Sequence, residues 1–409
     1  MMDYIQNKFR IELFDLELRE ILSSCKYINL PFNLPLVGLE LNHLLTQCGK
    51  TFFVESCNED SLHSTILNAK IILDFAWEKI NTGHWKDVDK IWRELYSLAV
   101  VFKVLSHLVL KNTDKLDIIK QCDNGLLLGA PIMGNLLSRL AFKLSELLLL
   151  EGNDRKNCYE VKPKKQKVLN EADVVLSHKV LERSNFTKKE FIDDFMNNSK
   201  PVIITDGISN WPAMTSRSWS IDYMLEKTSF RTVPIELGSK YTDENWTQKL
   251  MTVKEFVEHY IWNQSKEIGY LAQHNFFTQI PELKEDIDTP YYIDDKAFVD
   301  ISIWFGPSGT ISPLHYDPKH NLLAQVLGTK YIRLYSKEQS PYVYAREDPL
   351  FYNTSQVDVE NPDLEEFPLF SKAKYSECVL KPGNLLYIPP GCWHYVRSLS
   401  TSISISFWW

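Results

Sequence analysis

The sequence predicts an α+β protein: a helical domain over residues 1–150 and a β-rich domain over 170–409, joined by a polar linker over 151–169. Three observations carry that prediction. Across 62–79, 88–110 and 134–150, apolar residues recur at spacings of three and four, as in Ile91, Leu95, Leu98, Val101 and Leu105, which lays one apolar stripe along each helix. From residue 300 onward that rhythm gives way to short β-rich runs at 300–304, 322–326, 331–335, 377–380, 385–388 and 402–408, the pattern of a closed or double-sheet β architecture. Between the two, Glu151-Gly-Asn-Asp-Arg-Lys-Asn and Lys162-Pro-Lys-Lys-Gln-Lys167 show neither period.

Composition narrows the class. With 409 residues, 44% of them hydrophobic, the chain can fill two cores. A net charge of −8 argues against a broad basic surface for nucleic acid and would draw basic peptides instead. The seven cysteines, at 25, 48, 57, 122, 158, 378 and 392, include no Cys-x-x-Cys pair, so neither a disulfide framework nor a zinc knuckle is indicated and a reducing compartment is expected. The first residues lack the basic-then-apolar order of a signal peptide, and no uninterrupted apolar run reaches about 18 residues. A soluble protein of the nucleus or cytoplasm, without membrane contact, is the expectation. Lys162–Lys167 reads either as a nuclear-localisation signal or as a solvated linker.

Within the helical part, 79–88 has the composition of a short turn between antiparallel helices, with Gly83 expected as the C-terminal cap and Trp85 near the next helix start. No fixed repeat period stands out, so a helical bundle is expected, a helical-repeat form being the alternative. His43, His63, His84 and His107 stand at unrelated spacings and read as ordinary residues. This part shows no catalytic group, which points to docking a partner. In the second part, 201–205, 231–237 and 291–292 read as extended, and 220–228 and 253–263 as helical. Ser402-Ile-Ser-Ile-Ser-Phe alternates strictly, so Ile403, Ile405 and Phe407 are expected to be buried against the partner sheet, in the strand that completes the barrel.

The chemistry concentrates in His315-Tyr-Asp317. Side chains two apart on an extended segment point to the same side, so imidazole and carboxylate can meet one ion. A third ligand is required, and His394, in Ile-Pro-Pro-Gly-Cys-Trp-His, supplies it. Two histidines and one carboxylate form the facial triad that leaves positions open on non-haem Fe(II). A zinc hydrolase could use the same three groups, but no His-Glu-x-x-His is present, and His320 has neither that spacing nor strand parity with His315. His320 therefore reads as a surface or loop residue.

Beyond the triad, Gly269-Tyr-Leu-Ala-Gln-His, Trp304-Phe-Gly-Pro, Gly309-Thr-Ile-Ser-Pro-Leu-His, Lys330-Tyr-Ile-Arg-Leu-Tyr-Ser and the final Ser-Phe-Trp-Trp resemble the JmjC domain. That domain is the double-stranded β-helix, or jelly roll, of the cupin class that carries Fe(II)- and 2-oxoglutarate-dependent oxygenases. The resemblance is strong over 170–409, whereas the helical part offers no motif as specific. It implies His315, Asp317 and His394 as the iron ligands and catalytic centre. Tyr270, Ser312, Asn321 and Lys330 become the residues for 2-oxoglutarate, with dioxygen as the other co-substrate. Glu236, Trp246, Gln273 and Trp304 become a pocket for an arginine side chain. Residue chemistry agrees at two points. A buried ammonium at Lys330 needs a carboxylate, while Arg333 and Arg397, each three residues from an inward position, have the wrong parity. A carboxylate beside indole faces suits a planar guanidinium better than a compact ammonium.

The resemblance thus implies a dioxygenase that hydroxylates arginine in a protein substrate, with histone, ribosomal or other chromatin-associated proteins as candidate partners. Histone lysine demethylation, histone-tail peptidase activity and a non-catalytic peptide-binding cupin remain open on sequence alone.

Overall fold

A computed structural model describes residues 37–53, 58–84, 87–151, 174–238, 240–242, 245–263, 265 and 267–409. The chain divides into two compact units, the first holding Met1–Cys158 with Phe230–Thr232, the second the remainder. No described helix is long and apolar enough to cross a membrane. Cys48, Cys122, Cys378 and Cys392 are free and buried, while Cys25, Cys57 and Cys158 lie outside the described residues.

The helical unit runs through α1 (Leu39–Phe53), α2 (Glu59–Ile80), α3 (Lys90–Leu110), α4 (Lys115–Leu128) and α5 (Leu136–Glu151). The stripe on α3 is buried as its spacing demands: Leu95, Leu98, Val101 and Leu105 pack with Leu62 and Ile72 of α2 and Leu140 and Leu144 of α5. Asn58 and Ser61 close a capping box on α2, and Asp89 accepts from the Ile91 N–H at the start of α3. Gly83 does not cap α2. The cap is Asn81, whose backbone N–H and side-chain amide both donate to the Trp77 carbonyl, so no left-handed residue is needed there. Trp85 and the linker beyond Glu151 lie outside the described residues.

The second unit is built on two sheets. Its strands are β1 (Glu182–Arg183), β2 (Val202–Ile204), β3 (Thr232–Leu237), β4 (Thr247–Thr252), β5 (Gly269–His274), β6 (Asp300–Gly306), β7 (Ile311–Tyr316), β8 (Asn321–Leu327), β9 (Lys330–Tyr335), β10 (Ser376–Leu380), β11 (Leu385–Ile388), β12 (Trp393–Ser398) and β13 (Ser402–Trp408). The larger sheet has the order β1-β2-β11-β8-β13-β6-β5-β3-β4, and the smaller β10-β9-β12-β7. From β6 to β13 the chain crosses between the two sheets at every step except β9 to β10, which pair in the smaller one, and this winding is the double-stranded β-helix. The helix begun by Ser220, whose hydroxyl accepts from the Tyr223 N–H, spans Ile221–Thr228.

Strand parity divides the second unit's apolar residues into layers. Ile332 and Leu334 of β9 meet Leu323 of β8, Leu386 of β11 and Val396 of β12 between the sheets. Tyr331 and Tyr335, one residue out of phase, lie on the other side of the small sheet with Val343, Val357 and Trp393. The alternation in β13 is real, but its direction is opposite to expectation. Ile403, Ile405 and Phe407 join the cluster formed with Phe191, Trp211 and Met224, away from the small sheet. The serines face inward because the barrel interior is polar: Ser404 donates to Gln325, and Ser406 accepts from Trp304. Residues 291–292 are a turn, not a strand, since Tyr292 is drawn onto Phe186 and Phe191 while Tyr291 stays exposed.

Candidate active site

Antiparallel pairing of β12 with β7 puts His394 directly opposite His315 in register. Their rings lie 4.1 Å apart between centroids, inclined by 51°. Asp317 follows immediately after β7, and its Oδ2 lies 3.7 Å from His394 Nε2. One ligand atom from each of the three lies within 4.8 Å of the others, the one such group of metal-ligating side chains among the described residues.

The hydrogen bonds settle which nitrogens are available. His315 Nδ1 lies 2.7 Å from the Pro313 carbonyl, and His394 Nδ1 lies 3.0 Å from that of Cys392. A carbonyl can only accept, so each Nδ1 carries the proton and each Nε2 lone pair is free for a metal. Burial, then the nearby His315, pushes the pKa of His394 down, keeping the imidazole neutral and ligand-ready.

A cavity of about 310 Å³ opens beside the triad. Lys330, at the start of β9, is 2% exposed, and its hydrogen-bond partner among the described residues is the Tyr270 hydroxyl, at 3.2 Å. Burial lowers its pKa to about 7. Ser312 lines the same cavity as Tyr270, whose own pKa burial raises. Asn321 points a buried Oδ1 with no partner into this system. A desolvated ammonium beside hydroxyls that can donate fits a small dianion, and Asn321 can join them through its amide N–H groups, not through Oδ1. Arg333 and Arg397 do not line the cavity. The first lies against Tyr331 and Tyr375, and the second pairs with Glu360.

Strand β3 pairs with β5 so that Glu236 stands beside Tyr270, the partner of Lys330. Glu236, Gln273 and Trp304 line the cavity. Burial raises the Glu236 pKa, opposed by a long 3.4 Å hydrogen bond from the Trp246 indole. Trp246 itself lies in a smaller recess next door and is 38% exposed. His320 lies in the loop between β7 and β8, partly buried: it stacks on Tyr387 and Trp409, and its Nδ1 meets the Tyr387 hydroxyl at 2.8 Å.

Several lining residues were not anticipated. Tyr241 stands edge-on to His315, stacks on Phe351 and hydrogen-bonds Thr354. These come from loops with no period to read. Trp408 also lines the cavity, and inward parity with Ser404 and Ser406 was the signal that could have found it.

A facial two-histidine, one-carboxylate cluster within a double-stranded β-helix defines a cupin-type metal site. Comparison with known proteins agrees. A family model described as "Cupin-like domain" matches residues 187–409, and one described as "KDM8-like, N-terminal ARM repeats" matches 38–154. Lysine-specific demethylase 8 of Danio rerio is 49% identical over 352 residues, covering 83% of this chain and 86% of that protein. Jumonji C domain-containing protein 5 of Drosophila melanogaster is 35% identical over 349 residues, covering 83% and 85%. A tRNA wybutosine-synthesizing protein 5 from Gallus gallus is 27% identical over 244 residues, covering 54% and 74%.

The chain belongs to the JmjC family of cupin-like proteins, with helical ARM repeats ahead of the barrel. By class it is a 2-oxoglutarate-dependent oxygenase, and enzymes of this family use Fe(II) and 2-oxoglutarate.

Proposed function

We propose that this protein hydroxylates arginine side chains in protein substrates, using Fe(II), 2-oxoglutarate and dioxygen. The observation that carries the reading is Glu236: a desolvated carboxylate in the triad's cavity, with no cation paired to it among the described residues. A guanidinium entering beside it gains a charge-assisted and potentially bidentate pair, with aromatic surface from Trp304 and Tyr241 along its plane.

In this reading the two Nε2 atoms and the Asp317 carboxylate would hold the metal. Lys330 binds the distal carboxylate of the co-substrate, helped by Tyr270, Ser312 and Asn321. When bound, the metal and 2-oxoglutarate supply the oxidising chemistry, in which decarboxylation to succinate and carbon dioxide is coupled to oxygen insertion at a C–H bond. Glu236 orients the arginine so that a side-chain carbon faces the triad, and the aromatic walls exclude water. The ARM repeats are the proposed dock for a partner, with arginine-bearing histone, ribosomal or chromatin-associated proteins as candidates.

A second reading is demethylation of a lysyl N-methyl group, favoured by the names of relatives such as the lysine-specific demethylase 8 of Danio rerio. Against it stands the carboxylate, since a quaternary ammonium is better held by an all-aromatic cage. Mass spectrometry of arginine and methyl-lysine peptides after incubation with Fe(II) and 2-oxoglutarate separates the two. Gain of one oxygen on the arginine peptide is expected. Loss of one methylene equivalent from methyl-lysine, with arginine untouched, would overturn the proposal.

A further inference from the structure

We infer that Trp408 is a positioning residue for the metal-binding carboxylate, an inference that rests on the metal reading of the triad. Its indole Nε1 donates to Asp317 Oδ2 at 3.0 Å. This is the oxygen that lies 3.7 Å from His394 Nε2, and so on the side where the three ligand atoms converge.

Asp317 sits just past the end of β7, where the Gly391 N–H still donates to its carbonyl but no ladder contact fixes its side chain. The torsion that turns a carboxylate about its own axis is broad and roughly two-fold, so the backbone alone leaves the ligand oxygen free to swing. An indole N–H on one lone pair of Oδ2 removes that freedom and leaves the remaining lone pairs for the ion.

The donor itself is rigidly placed. Trp408 pairs with Asp300 of β6 on one side and Asn321 of β8 on the other. Its ring meets Trp304 at 6.1 Å and 64°, and Trp304 is in turn tied to Ser406. A donor fixed by two ladders and a second indole holds its acceptor within the narrow tolerance a metal site needs.

The test is Mn(II) binding to the full chain stripped of metal, read by electron paramagnetic resonance of the free ion. Trp408→Phe keeps an aromatic ring and removes the N–H. Mn(II) affinity is expected to fall about 10-fold or more, the usual effect of losing a partner behind a metal ligand. Melting of the metal-free protein is expected to stay close to wild type. Trp409→Phe, which trims the ring stacked on His320, is expected to leave Mn(II) affinity unchanged.

Equal affinity in wild type and Trp408→Phe would overturn the inference while leaving the triad reading intact. Equal losses in both variants would also overturn it, by assigning the effect to packing of the strand end. Absence of Mn(II) binding by wild type would overturn the triad reading itself. Should Trp408→Phe not fold, the wild-type indole ¹⁵N–H resonances provide the readout. One indole signal is expected to move on addition of Zn(II), and the same signal to be displaced in Asp317→Ala. No indole responding to either change refutes the contact.

Discussion

Replacing Lys330 with methionine should weaken the co-substrate site and strengthen the empty fold at the same time. The side chain is 2% exposed, and burial takes its pKa from 10.5 to about 7. A fall of that size is a penalty of roughly 5 kcal/mol on the charged form, an upper figure because local relaxation would lessen it. The unfolded chain keeps this lysine protonated up to about its ordinary pKa, so below pH 7 the folded protein without co-substrate carries the whole penalty. The penalty then fades between pH 7 and 10.5, and stability rises through that window. Methionine fills similar volume without a charge. Recovery of even about 1 kcal/mol would raise the melting temperature of the co-substrate-free protein by roughly 2–4 °C for a domain of this size. Binding should move the other way, because stranding a buried carboxylate without its counter-ion costs about 3–5 kcal/mol, or at least 100-fold in affinity. Thermal melts with and without 2-oxoglutarate, beside calorimetric titration, report both effects. A Lys330→Met protein that melts lower when empty, or that binds 2-oxoglutarate like wild type, would refute the argument.

Four further outcomes are expected. Above about pH 7 the empty site holds a neutral Lys330, so binding the dianion must take up a proton. The 2-oxoglutarate dissociation constant should then rise by up to about tenfold per pH unit, with proton uptake visible as a buffer-dependent heat and both effects absent in Lys330→Met. Asp317→Ala should abolish succinate formation while circular dichroism stays unchanged, and persistent turnover would exclude the triad. Glu236→Gln should lower turnover of arginine peptides about tenfold or more by removing the charge from a charge-assisted pair, with 2-oxoglutarate affinity unaltered; equal turnover would shift arginine recognition elsewhere. Gly328, in the turn between β8 and β9, has φ +68°, and a Cβ there would run into the Thr401 carbonyl. Gly328→Ala should therefore cost about 2 kcal/mol or more, read as a lower urea midpoint.

Much of the architecture was legible because it follows from local periodicity. The three-and-four spacing around Leu95 and Leu105 gave a helix with a buried stripe, and the β-rich runs gave strands, with 385–388 and 402–408 matching β11 and β13 in full. Helix α1 went unread although Leu41, Leu45, Cys48 and Phe52 recur at three and four and are buried, whereas in α4 polar residues such as Asp123 interrupt the stripe and tertiary packing completes it. In β13 the sequence could separate two faces without saying which was inside, because both are buried and the interior face is the polar one.

At the site, the residues two apart in His315-Tyr-Asp317 needed no more than strand parity to be seen as partners. What the sequence determined alone was this local pairing, the residue types available to a metal, and the alternation that separates Lys330 from Arg333. The tertiary structure decided everything that depends on register between distant strands: His394 opposite His315, Glu236 beside Tyr270, and Trp408 reaching Asp317. Pairing register is set by packing and turns across the whole barrel, and a shift of one residue would turn each of these side chains to the other face, so no stretch of sequence read by itself could contain it.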